Sequence, residues 1–315
     1  RPSVSLVIDA GDGLGNTTPP PALPGWDNVG RRLGGPSVVY VGNRWVLTAD
    51  HVGAGVVVLA GRHHDPEPDS ITRLVNDDGS PADLLLFRIE DDPGLAPLRI
   101  ARLPPRIGQD VVLVGMGASR GASLTVRSPR DGLLDGFEWV ADGTKRWGTN
   151  LVAGSVQRVH NRGGYTWAIP MIFDRIDDPL GTRQEATAAS GDSGGALFAL
   201  EDALAPERGY VLSGVLFSVS NLPEQPEDTS LYGSAAYAAD LSSYRDQILA
   251  TMSRDCRGGR GDESGCATAG GDGSAWRGTL GTRTALSLSL LAGGALGLLV
   301  WWLAVRSRAR HSGVT

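Results

Sequence analysis

The sequence predicts an all-β domain followed by a flexible tether and one transmembrane helix, and three observations carry that expectation. First, short β-rich runs such as Ser37-Val38-Val39-Tyr40-Val41, Asp110-Val111-Val112-Leu113-Val114 and Tyr210-Val211-Leu212-Ser213-Gly214-Val215-Leu216 alternate with clusters of Gly, Pro, Asp and Asn. Runs of this length between turn formers read as strands. Second, 315 residues carry 44 glycines and 19 prolines, so turns are frequent and helices scarce. An all-β barrel unit commonly takes roughly 200 to 250 residues, enough to bury a sizeable core. Third, no charged residue lies between Arg283 and Arg306.

Three blocks inside the predicted β domain carry chemistry. Ser193 sits in Gly191-Asp192-Ser193-Gly194-Gly195, His51 in Leu47-Thr48-Ala49-Asp50-His51-Val52, and Asp83 in Asp83-Leu84-Leu85-Leu86-Phe87. A serine hydroxyl is a poor nucleophile until a base takes its proton, and a histidine base needs a carboxylate to hold its tautomer. All three residue types are present, in the order His, Asp, Ser, and that order differs among unrelated folds that share this chemistry. The Gly191–Gly195 block also fits the serine elbow of α/β-hydrolases, which needs a histidine downstream of the serine. The only later histidine, His311, lies beyond the uncharged stretch, which disfavours that reading. His63, His64 and His160 have no metal-ligand spacing and are expected at the surface. Asp9, Asp12 and Asn16 match no calcium loop and read as a Gly-rich turn, so no metal or cofactor is expected.

The blocks Trp45-Val46-Leu47-Thr48-Ala49-Asp50-His51, Asp83-Leu84-Leu85-Leu86 and Gly191 to Gly195 resemble the "WVLTAAH", "DIAL" and "GDSGG" motifs of the chymotrypsin/trypsin family of serine proteases, in its bacterial type. Asp50 and Val52 depart from it, replacing the usual alanine before and cysteine after the histidine. The resemblance implies a chymotrypsin-like double six-stranded β-barrel, with His51 and Asp83 from the first barrel and Ser193 from the second. Tyr237 to Ile248 resembles the last strand running into the terminal helix, which sets the protease domain at residues 1–252. The backbone N–H groups of Gly191 and Ser193 would form the oxyanion hole. Thr187, six residues before Ser193, would floor the specificity pocket in place of trypsin's aspartate. Ser218, in Phe217-Ser218-Val219-Ser220, roughly matches the substrate-pairing "SWG" segment. Arg32-Leu33-Gly34-Gly35 lies too close to His51 to be a trypsin-like activation cut, so an internal arginine or another group is expected to satisfy Asp192.

Beyond the domain, residues 253–283 form a Gly-rich polar tether that cannot build a core. The 22 residues 284–305 follow; at about 1.5 Å per residue they reach the roughly 30 Å of a bilayer core. Trp301 and Trp302 suit the interface, and Arg306, Arg308 and Arg310 mark 306–315 as a basic cytoplasmic tail by the positive-inside rule. The domain is therefore expected outside the cell membrane, periplasmic or extracellular, on a single-pass anchor. The tail also resembles bacterial C-terminal sorting signals. A processing protease acting near Cys266 or Gly270-Gly271 would then release the domain. Cys256 and Cys266 read as one small disulfide loop, with two free thiols the alternative. Gly293 and Gly297 make a G-x-x-x-G within the span.

Lys and Arg total 29 against 35 Asp and Glu, a net charge of −6, and no dense basic stripe occurs in the globular part, which speaks against nucleic acid. The expected partner is a protein or peptide substrate, cleaved through an acyl-enzyme. The alternatives are a serine esterase on the same fold and a catalytically silent, membrane-tethered binding module.

Overall fold

The computed structural model describes residues 6–254 apart from 142, 162 and 203. Cys256, Cys266, the expected membrane span 284–305 and the expected basic tail lie outside the described residues, as does the expected tether from residue 255. No helix among the described residues is long and apolar enough to cross a membrane.

The strand-forming runs pair antiparallel. After a two-residue strand β1 (Val7–Ile8), strands β2 (Val29–Arg32), β3 (Ser37–Gly42), β4 (Trp45–Thr48), β5 (Val57–Leu59), β6 (Arg62–His64), β7 (Thr72–Val75) and β8 (Pro81–Arg88) build one sheet, in the order β6-β5-β2-β3-β4-β8-β7. Then come β9 (Asp110–Gly115), β10 (Ser119–Ser128), β11 (Gly132–Val140), β12 (Arg146–Leu151), β13 (Gln157–Asn161), β14 (Gly164–Ile172), β15 (Ala186–Thr187), β16 (Ala196–Leu200), β17 (Tyr210–Ser220), β18 (Thr229–Leu231) and β19 (Ala235–Asp240). A second sheet runs β12-β9-β16-β17-β19-β14-β13, β10-β11-β18 form a three-stranded sheet, and β1 pairs with β15. The α-helix α1 (Leu241–Arg254) closes the described chain. Residues 6–128 and 133–254 form one compact unit, which leaves out Pro129–Gly132, the turn between β10 and β11 and the first residue of β11.

Each large sheet has seven strands where the family resemblance implies six, because a short hairpin adds an edge strand to each. β5 turns into β6 through Ala60-Gly61, both at positive φ (46° and 77°). Two consecutive left-handed residues make the tight turn whose twist matches that of paired strands. β13 likewise folds onto β14, with Asn161 opposite Gly164 and Gly163 at φ 90°. The first hairpin also corrects a sequence expectation. His63 is exposed, but His64 points inward and is 3% exposed. Alternation along a strand puts neighbours on opposite faces, and two adjacent histidines give no sign of which face is core.

The largest core cluster joins Trp45, Leu47, Leu84 and Leu86 of the first sheet to Val112, Val114, Phe198 and Leu212 of the second. Burying each such side chain is worth about 1.5–3 kcal/mol. Helix α1 is fixed onto the same core by Ile248 and by Tyr244, whose hydroxyl donates to Asn76 Oδ1 (2.8 Å) and accepts from the Trp167 N–H (3.0 Å). The helix thus touches both sheets and belongs to the domain.

Candidate active site

Strand β4 runs fully buried between β3 and β8 and stops at Thr48. The chain then turns, with the Val52 N–H donating to Ala49 O (3.0 Å) and the Gly53 N–H to Asp50 O (3.0 Å). This turn lifts His51 off the sheet edge, its side chain 48% exposed. Asp83 stands near the start of β8, the neighbouring strand, with its own N–H donating to Thr166 Oγ1 of β14 (2.8 Å). Its carboxylate takes His51 twice: Oδ2 lies 2.8 Å from Nδ1, and Oδ1 accepts the His51 backbone N–H at 3.0 Å. A proton on Nδ1 leaves Nε2 with its lone pair facing away from the carboxylate. The hydrogen bond to Asp83 raises the His51 pKa above its ordinary value, against the lowering effect of burial. Asp50, the departure beside the histidine, is held elsewhere. Its Oδ1 accepts from Arg73 Nε (2.7 Å) and its Oδ2 from Arg73 Nη2, a two-pronged pair that keeps the carboxylate off the imidazole.

The Ser193 loop is packed where side chains would not fit. A Cβ on Gly194 (φ +85°) would lie 1.9 Å from Ser37 O and 2.3 Å from Thr48 Oγ1. Thr48 precedes His51 by three residues, so this contact sets the serine loop beside the histidine turn. The Ser37 N–H and hydroxyl both donate to Gly191 O (3.1 and 3.2 Å). Around the loop the N–H groups of Ala189, Asp192, Gly194 and Gly195 all donate within the protein. Those of Gly191 and Ser193 donate to no group among the described residues. Asp192 is completely buried, and desolvation pushes its carboxyl well above the usual carboxylate range. Its oxygens accept the N–H groups of Gly117 (2.7 Å) and Ala189 (2.9 Å). Of the two expected partners, an internal arginine or another group, the second is what meets it: among the described residues backbone amides and no arginine reach the carboxyl.

Thr187 is buried on β15, paired with Val7 of β1. Two residues before it, Glu185 is fully buried beneath the strand. Its Oε1 accepts from Asn150 Nδ2 (3.0 Å) and the Asp174 N–H (3.1 Å), and its Oε2 from the Thr182 N–H (2.9 Å) and hydroxyl (2.8 Å). Burial pushes this carboxyl up to about 8 despite those donors. Ser218 is half-buried on β17 opposite Tyr237, just after a bulge between Leu216 and Ser218. The Gly194 N–H donates to Leu216 O (2.7 Å), tying the Ser193 loop to that strand. Sequence reasoning missed the Arg73 clamp, which spans 23 positions, and the Glu185 knot, where Thr182 is only three residues away but Asn150 reaches across 35.

Residues 36–204 match the trypsin-like peptidase domain, a stretch that contains all three chemical blocks. The chain belongs to that family. It is therefore a serine-type hydrolase of mostly β, chymotrypsin-like fold with few helices. No curated protein sequence matches it. Among solved structures, this trypsin-like chain is similar to neuropsin, a serine protease expressed in the limbic system of mouse brain (18% identity, 76% of this chain and 99% of that one, TM-score 0.45). It is also similar to the Rv3671c protease of M. tuberculosis H37Rv in an inactive form (15% identity, 76% and 99%, TM-score 0.43). A third likeness is to the HtrA-type protease AlgW with a decapeptide (14% identity, 70% and 51%, TM-score 0.41).

Proposed function

We propose that this trypsin-like chain is a serine endopeptidase in which His51, Asp83 and Ser193 form the triad. Neutral His51 takes the Ser193 proton at Nε2 as the serine oxygen attacks a peptide carbonyl. Asp83 stabilises the imidazolium, and the Gly191 and Ser193 N–H groups receive the oxyanion. His51 then returns the proton to the leaving amine, and water hydrolyses the acyl-enzyme by the same base. The observation that carries this reading is the pair of hydrogen bonds that Asp83 accepts from the ring and the backbone N–H of His51, and the close packing of Gly194 on Thr48, three residues before His51, supports a Ser193 loop beside that ring. The unused N–H groups of Gly191 and Ser193 add support.

Residues before the scissile bond pair along Ser218 of β17 in this reading, and Thr187 closes the specificity pocket. With Thr187 there and all four Glu185 acceptor contacts filled from within, a substrate Lys or Arg would be desolvated without a partner. Small or uncharged residues are therefore favoured. The 22 uncharged residues before Arg306 support a membrane tether, with the domain facing outward.

Fluorophosphonate labelling tests the reading, followed by cleavage of an unbiased peptide library mapped by mass spectrometry. The wild type is expected to label at Ser193 and cut peptides, and Ser193→Ala to do neither. A labelled enzyme that cleaves esters but no peptide would point to an esterase.

A further inference from the structure

The turn from β2 to β3 carries a seated positive charge that the triad does not use. Arg32 ends β2, and its backbone closes the turn: its N–H donates to Pro36 O (2.9 Å) and its O accepts the Gly35 N–H (2.8 Å). The neighbouring Leu33 N–H donates to Val56 O (2.7 Å), which brings the turn against the segment after His51. Between the two segments lies the Arg32 guanidinium. A Cβ on Gly35 would sit 3.0 Å from Nε and 3.3 Å from Nη2; one on Gly55 would sit 3.0 Å from Cδ and 3.5 Å from Nη1. Side chains are missing on both sides where the guanidinium rests.

This seat lies beside the reaction centre. Ser37, at the end of the same turn, donates twice to Gly191 O, and Gly55 follows His51 by four residues. Yet Arg32 has no carboxylate within salt-bridge distance among the described residues, and its Nε is buried without a hydrogen-bond partner. A partly desolvated guanidinium without a counter-charge is costly. The contrast is Arg73, which Asp50 neutralises.

We infer that Arg32 is a specificity residue that receives an acidic side chain of the substrate on the C-terminal side of the scissile bond. This rests on the endopeptidase reading, in which residues before the bond occupy the Ser218 strand and leave the β2–β3 turn to those after it. The ligand class is an aspartate or glutamate side chain, which a guanidinium meets with two parallel hydrogen bonds.

The test uses quenched fluorescent peptides identical except for Glu or Gln at each of the first three positions after the scissile bond. At one of these positions the full chain should cleave the Glu peptide about tenfold better in kcat/KM, mostly through KM. The preference should shrink in added salt. Arg32→Gln should abolish it without changing the rate on the Gln peptide, and Arg32→Lys should keep only part. Gly55→Ala keeps the arginine but crowds its seat, and should weaken the same preference. Equal rates on Glu and Gln peptides at all three positions overturn the inference, as does a preference that survives in Arg32→Gln. Fluorophosphonate labelling shows whether each variant keeps a competent Ser193. If the wild type cleaves no peptide, the endopeptidase reading fails and binding decides the inference. The Ser193→Ala protein should then bind the Glu peptide more tightly than the Gln peptide only while Arg32 is present, and the absence of that difference overturns it.

Discussion

Asp83 holds His51 at two points, the ring Nδ1 at 2.8 Å and the backbone N–H at 3.0 Å, so one carboxylate fixes both the tautomer and the turn that carries the ring. Asp50, one residue from His51, could compete for the ring only by leaving Arg73. Ser193→Ala and His51→Ala are each expected to cost on the order of 10⁶ in kcat, and Asp83→Asn roughly 10⁴, since an amide cannot hold the same tautomer. Asp50→Asn breaks an ion pair whose arginine is half-exposed and should cost less than about tenfold. Steady-state kinetics on one peptide settle the order. A larger loss in Asp50→Asn than in Asp83→Asn would exchange the roles of the two carboxylates.

The pH profile follows from the same contact. His51 acts as base only when neutral, and its hydrogen bond to Asp83 raises its pKa. Activity is therefore lost as pH falls through that raised value, and the acidic limb of kcat/KM lies above the ordinary histidine value of about 6.5. Asp83→Asn removes the cause and should move the limb of the residual activity down. A profile flat from pH 5 to 8 would rule out His51 as the base.

Asp192 offers a test of how the serine loop is held. Backbone N–H groups of Gly117 and Ala189 satisfy its carboxylate, and no cation among the described residues does. Asn keeps one acceptor oxygen but turns its NH2 toward the other buried N–H, so Asp192→Asn should lose about 1–3 kcal/mol of stability while the folded protein retains labelling and activity within about tenfold. A charged partner would be broken by the same change, at the several-kcal/mol cost of an unpaired buried ion. Loss of more than 100-fold, with folding intact by circular dichroism, would point to such a partner.

Glu185 links burial to stability. Its folded pKa is raised to about 8, while an unfolded glutamate titrates near 4.5. Between those values the folded state binds more protons than the unfolded one, so this group's contribution to stability declines as pH rises from about 4.5 to 8 and is level above. His51 and Asp192, also raised, add slopes of the same sign, so the readout is a difference. Urea midpoints from pH 5 to 9 should fall less steeply in Glu185→Gln than in the wild type. Parallel curves would mean that Glu185 is ionised throughout.

What could be read from the sequence was local. The run Ser37–Val41 and the block Trp45–Thr48 became adjacent buried strands, and Tyr237–Ile248 became a strand entering α1, because alternation and turn residues act over a few positions. The blocks around His51, Asp83 and Ser193 stood out as candidates because few residue types can do such chemistry. Partners fixed by tertiary pairing were not legible: Arg73 reaches Asp50 across 23 positions, and Gly117 reaches Asp192 across 75. Neither separation leaves a periodic trace. His64 was misplaced for the same reason, since only the hairpin at Ala60-Gly61 decides which of two adjacent histidines turns inward.

The last prediction concerns the domain and its tail. Helix α1 is fixed to the core by Tyr244 and Ile248 and runs to Arg254, while every residue assigned to the site lies upstream. A chain ending at Arg254 should therefore fold and label as well as the full chain, whereas one ending at Asp240 loses the helix, exposes the core beneath it and should not. In cells, the uncharged stretch before Arg306 should hold the full chain in the membrane with the domain outside. Protease added to intact cells should release the domain and leave a tag placed after Thr315 protected. An accessible tag would reverse the orientation. Release without added protease, with a new end near Cys266 or Gly271, would show that the tail is a sorting signal.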